Sequence, residues 1–188
     1  MKKVVKAFLF ILAAAVLAAA VLVLLKLMPG IGPAPPAGKG PGAALDEPKM
    51  VDLYFADADG RRLALEAREL TAPSLEESIH QAVRELIAGP RKESLSPTIP
   101  ESVEIRSVYF RDGIAYVDLT PNLSDKHPGG SWAELLTVYS IINTVTENFS
   151  EVNRVQLLLG GREHDTLAGH IDISRPLPGR VQLLAGDW

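Results

Sequence analysis

The sequence contains no cysteine, and that absence closes several routes at once. Disulfides, thiolate zinc centres, a cysteine nucleophile and a lipid-modified cysteine are all excluded for these 188 residues. A basic stripe is missing too. Five of the 19 Lys+Arg and two of the 23 Asp+Glu lie in the first 48 residues, which leaves 14 bases against 21 acids from residue 49 onward, a balance of −7. Such a segment lacks the cationic surface that releases counterions from DNA or RNA, so no nucleic acid is expected as a partner. No serine sits in a glycine-flanked nucleophile elbow. Gly160-Gly161-Arg162 has neither the glycine count nor the following helix of a phosphate-binding loop, and reads as a turn that ends a strand.

What is present begins with an uncharged apolar run from Ala7 to Leu25. Its 19 residues span roughly 28 Å as a helix, close to the hydrocarbon thickness of a bilayer. Lys2, Lys3 and Lys6 precede it and Lys26 alone follows at once, so the positive-inside bias keeps the amino terminus cytoplasmic and sends the rest across the inner membrane. A cleaved signal peptide has a shorter apolar core, with its small residues after the core; here Ala18-Ala19-Ala20 lies inside it. Residues 1–28 are therefore expected to be a retained single-pass anchor. Residues 29–48, rich in Pro, Gly and Ala, read as a linker.

Residues 49–176 carry the patterns of a folded α+β domain, and 177–188 read as a tail. Val51, Leu53 and Phe55 alternate as a strand, and Asp57–Gly60 supplies turn chemistry before a second strand over 63–70. Ser74 and Glu77 form a capping-box pattern at the head of a helix over 75–88, which Gly89 and Pro90 end. The run Val103–Leu119 folds about Asp112-Gly113 as the central hairpin, with Ala115, Val117 and Leu119 on the covered face. Ser131 and Glu134 repeat the capping box at the head of a longer helix, to about Asn148. Leu135, Val138, Tyr139, Ile142, Val145 and Phe149 form its apolar stripe, expected to be the lid on the sheet. Val152–Leu159 returns as a strand. The order β-β-α-β-β-α-β predicts a mixed or antiparallel sheet of about five strands with both helices on one face.

His164, Asp165, His170 and Asp172 cluster in sequence but match no metal-ligand spacing, so no metal is expected. Ser140 and His127 have no hydrolase context. His170 after Gly169 is expected to orient a turn, and Asp118, either solvated or held by backbone donors and an arginine, to have a structural role. Tyr109 and Arg111 on the hairpin and Trp132 at the helix head are the candidate contact residues.

With Leu53-Tyr-Phe55, Ala88-Gly-Pro90, Ile99-Pro100, Tyr116-Val-Asp-Leu119, Asn143-Thr-Val-Thr146 and Gly169-His170 in this order, the chain resembles a GerMN domain over about Val51–Pro176. The family takes its name from a sporulation and spore-germination protein. The resemblance implies an extracytoplasmic, membrane-tethered module, related in build to ring-forming modules of envelope assemblies, with no known catalytic residues; no cofactor is expected. The spore-former archetype resembles a tandem of two such domains, whereas this chain has one. Thr120 stands where serine often follows Val-Asp-Leu. The function expected is a non-enzymatic scaffold that meets itself or another envelope protein; the alternative is a module binding a small ligand or wall fragment in a cleft near Arg162, His164 and Asp172.

Overall fold

The computed structural model of the chain describes residues 45–183; the expected anchor, the linker up to residue 44 and residues 184–188 lie outside the described residues. Among the described residues no helix is long and apolar enough to cross a membrane.

Alternation builds two antiparallel pairs. β1 (Leu45–Asp57) pairs with β2 (Leu63–Ala72), and Val51, Leu53 and Phe55 face the core as their spacing demands. β1 begins inside the stretch read as linker. β4 (Ile105–Arg111) and β5 (Ile114–Leu119) close on a two-residue turn whose Asp112 and Gly113 both adopt positive φ, 51° and 79°. Ala115, Val117 and Leu119 are buried as expected.

The single five-stranded sheet is not what forms. Among the described residues there are two three-stranded sheets, β2-β1-β3 and β4-β5-β6, with β3 only Leu95–Ser96 and β6 (Arg154–Leu159) parallel to β5. The reason lies at the far edge of β1. β3 pairs only with Ala56 and Asp57, and further along side chains take the place of a strand. Asp52 N–H donates to Asn148 Oδ1 (2.8 Å), Asn148 Nδ2 donates back to Asp52 O (2.8 Å), and Tyr54 N–H donates to Thr144 Oγ1 (3.2 Å). An edge so occupied cannot accept the second hairpin.

Helix α1 (Leu75–Ile87) starts at the expected place with the serine half of the capping box, Ser74 Oγ accepting from Glu77 N–H at 3.2 Å, while the Glu77 side chain is exposed. Its far end is held from the sheet: Arg68 of β2 donates to the carbonyls of Glu85 (3.1 Å) and Gly89 (2.7 Å) and ion-pairs with Glu85 and Glu66. A guanidinium at the free carbonyls complements the negative helix end. Gly89, at φ 87°, turns its carbonyl to that arginine, and Pro90 follows.

A short helix α2 (Asn122–Asp125), not foreseen, follows Pro121. The long helix α3 (Ser131–Thr146) corrects two expectations. It is no lid: Leu136 through Val145 are all buried, and the helix packs against β1, α1, β6 and the carboxy-terminal 3-10 turn (Val181–Leu183). Nor do Ser131 and Glu134 form a capping box. Gly130 is the N-cap, without a side-chain bond, so Ser131 lies one residue inside the helix where its hydroxyl cannot reach the free amides.

The stretch read as a tail is in part a docked strap. Val155 and Leu177 exchange both backbone bonds at 2.9 Å, and Asn143 brackets Arg180, accepting from its N–H (2.7 Å) and donating to its O (3.0 Å). Gly179 permits this close pass, since a Cβ there would lie 2.5 Å from Thr146 Oγ1.

Candidate functional site

Four loops converge on the amino-terminal end of α3. The β1–β2 turn is reached by Trp132, half exposed, whose Nε1–H donates to Gly60 O at 3.1 Å. The loop before the helix is held by His127. Gly129 N–H donates to Nδ1 (3.0 Å), so the ring hydrogen sits on Nε2 and points at Thr137 Oγ1 (3.1 Å), whose own hydrogen goes to Thr98 O (2.6 Å). Thr98 Oγ1 then donates to Ser140 Oγ (2.8 Å), which donates to Thr137 O (2.8 Å). Burial pushes the His127 pKa down, against the charge of Glu134, and the bonded neutral tautomer is in keeping with that direction.

Glu134 holds the fourth loop. Its carboxylate is fully buried and accepts from the amides of Ala168 (2.8 Å), His170 (3.0 Å) and Ile171 (3.0 Å), and from His170 Nδ1 (2.9 Å). Burial pushes the carboxyl up, but the amides of Ala168 and Ile171 and the His170 ring outweigh it and hold the group below the usual carboxylate range. Gly169 takes φ 100° inside this loop. His170 thus orients a turn, with a carboxylate partner on the helix that its position in sequence gave no way to find.

Asp118 behaves as expected: Gly161 N–H donates to Oδ1 (2.8 Å) and Arg106 Nε to Oδ2 (3.0 Å), tying β5 to the turn after β6. Gly160-Gly161-Arg162 is that turn, with Leu159 N–H donating to Arg162 O at 2.9 Å. Among the described residues no group of three or more His, Cys, Asp or Glu could hold a metal ion.

The contact candidates are not brought together. Tyr109 and Arg111 are exposed on the hairpin, whose tip lies at the start of β6, with Asn153 N–H donating to Gly113 O at 2.8 Å. β6 follows the far end of α3, whose 16 residues run about 24 Å. Trp132 therefore marks one pole of the helix, and Tyr109 with Arg111 the other. Sequence reasoning missed Arg68 and Glu66, which are buried, and Asn143 and Asn148, which read backbone rather than solvent.

A family profile described as "Germane: Sporulation and spore germination" matches residues 52–165. The chain belongs to the Germane family. Among solved structures it is similar to a candidate lipoprotein from Clostridium perfringens, at 27% identity and TM-score 0.54 over 74% of this chain and 93% of that one. It is also similar to the first GerMN domain of the sporulation protein GerM from Bacillus subtilis, at 24% identity and TM-score 0.54 over 69% of this chain and 97% of that one. Against the tandem GerMN domains of the same protein the identity is 19% and the TM-score 0.55, over 70% of this chain and 46% of that one, so one Germane domain here spans under half of the pair. No curated protein matches the chain. The Germane match contains Glu134 and Asp118 but stops short of the loop that Glu134 holds and of the strap over α3.

Proposed function

We propose that the protein is a non-enzymatic assembly module of the bacterial envelope. A single amino-terminal helix tethers it to the inner membrane, its Germane domain lies outside the cytoplasm, and its partner is a second copy or another envelope protein. A part in sporulation or germination is the family's description carried to this chain. The observation that carries the reading is how the candidate polar groups are used. Glu134, Asp118, His127 and His170 are bonded to backbone and to one another to fix loops. The exposed aromatics Tyr109 and Trp132 stand at opposite poles, where contacts on two sides are open to them. The missing cysteine makes the apolar run 7–25, rather than a lipid, the means of attachment within these residues.

The test uses the full-length protein in membranes. Mass spectrometry of the membrane fraction should find residues 1–28 retained, and a lysine-reactive cross-linker should join the protein to itself or to an envelope partner. A soluble form beginning near Gly30 overturns the anchor. Hydrolysis of wall material by the wild type, lost in Asp118→Ala or His170→Ala while the fold persists, overturns the non-enzymatic reading.

A further inference from the structure

Three of the sheet edges can be compared group by group. The far edge of β1 is taken by Asn148, Thr144 and β3. The outer edge of β6 is taken at Val155 by Leu177, at Leu157 O by the side chain of Gln156 (3.1 Å), and at Leu159 by Arg162. The outer edge of β2 is different.

Antiparallel pairing fixes which groups β2 turns outward. Asp52 and Tyr54 direct their backbone groups away from β2, so their partners Ala67 and Leu65 direct theirs away from β1, as does Glu69 opposite Met50. The bond from Lys92 Nζ to Leu65 O (3.2 Å) agrees with this parity. Among the described residues that lysine is the one side chain bonded to the outward backbone of Leu65, Ala67 and Glu69. The side chains of these three residues are exposed, and Leu65 shares its face of the sheet with exposed Met50. Glu66 and Arg68, the charged residues of the strand that alternate with them, are buried on the other face.

We propose that this edge of β2 is a self-pairing surface, where two copies of the chain join antiparallel about Ala67 and form one continuous sheet. Charge decides the register. Pairing centred on Ala67 places Leu65 opposite the second copy's Glu69, so that Lys92, moving off the Leu65 carbonyl, meets a carboxylate. Centring on Glu69 sets two carboxylates opposite each other, and centring on Leu65 brings the two lysines together; both are repulsive. Ala67 at the two-fold axis lets the backbones approach, and the same patch serves both copies, as a closed dimer requires. Lys92 is well placed for the exchange, because its backbone N–H is fixed by Glu66 (2.9 Å) while its side chain is exposed. A strand edge guarded by one lysine is weakly protected, and tethering supplies the effective concentration that the −7 balance opposes.

This surface rests on the assembly reading and names its partner. Because the chain is free of cysteine, a single introduced one reports its position without background. In full-length protein in membranes, Ala67→Cys should form a disulfide dimer about tenfold faster than Asp112→Cys at the exposed hairpin tip, since paired residues on the axis fall within disulfide range. Leu65→Cys and Glu69→Cys should cross-link when mixed and far less alone. Lys92→Glu should slow the Ala67→Cys dimer, and adding Glu69→Lys should restore it. If lysine cross-linking yields dimers while Ala67→Cys stays monomeric, the edge is wrong and the assembly reading stands. No adduct by either chemistry removes both, and a disulfide from Ala67→Cys to a different protein overturns self-pairing.

Discussion

The chain carries the same four-residue pattern twice, serine followed three residues later by glutamate, each time at the start of a helix. At Ser74 and Glu77 the serine caps the helix and the glutamate stays in solvent. At Ser131 and Glu134 the serine is exposed and idle, glycine caps the helix, and the glutamate lies buried under a loop brought from more than 30 residues away. The difference comes from the surroundings. α1 presents one face to the sheet and leaves Glu77 in water, whereas α3 is enclosed, and a carboxylate in its first turn must find donors or not ionise. The amides of Ala168, His170 and Ile171 supply them.

The sharpest way to break this contrast is to remove each carboxylate. Glu134→Ala leaves three amides without their acceptor, so the expected loss is on the order of 3–5 kcal/mol in chemical denaturation, against a change within about 0.5 kcal/mol for Glu77→Ala. Equal losses would mean that the loop finds other acceptors.

Acid should test the Glu134 carboxylate next. The folded pKa of Glu134 lies below its ordinary value, so its contribution is complete above about pH 4.3 and fades as the pH falls through the folded value. Stability measured from pH 6 to 3 should fall less steeply in Glu134→Gln than in the wild type. His127 adds a smaller effect at higher pH. Its neutral ring is the one bonded, and its folded pKa is depressed, so its contribution is full above about pH 6.5 and declines below. His127→Gln should flatten the stability profile between pH 7 and 5, and amide exchange at Gly129 should lose its protection over that range in the wild type. The smallest effect concerns the serines: Ser74→Ala should cost about 1 kcal/mol and Ser131→Ala under about 0.5 kcal/mol. A larger loss at Ser131 would restore the capping box that the geometry denies.

The elements themselves were legible. Both hairpins, α1 with its cap, and the existence of α3 follow from period and turn chemistry, and Asp118 takes the structural role expected of it, on a backbone donor and an arginine. What escaped was long-range and depended on which face turned inward. In β2 the buried face carries Glu66 and Arg68 while Leu65 and Ala67 face out, the reverse of what hydropathy suggests, because Arg68 reaches the carbonyls that end α1. That inversion was invisible without the helix in place. The division into two sheets was hidden for a similar reason, since nothing local marks Asn148 as a stand-in for a strand. The sequence marks His170 as a turn former, yet the repeated pattern points its partner Glu134 to a capping role instead.

The bond pair between Asp52 and Asn148 also sets a clock. These residues are 96 apart in the chain, and at a synthesis rate of about 5–20 residues per second Asn148 follows Asp52 by roughly 5–20 s. β1 and β2 are adjacent in sequence and can pair within microseconds. Until the end of α3 emerges, the far edge of β1 has only β3 beside it, at Ala56 and Asp57, and stays bare at Asp52 and Tyr54. The newborn chain therefore passes through an interval in which a neighbouring chain, or a chaperone, competes for the place that Asn148 will occupy.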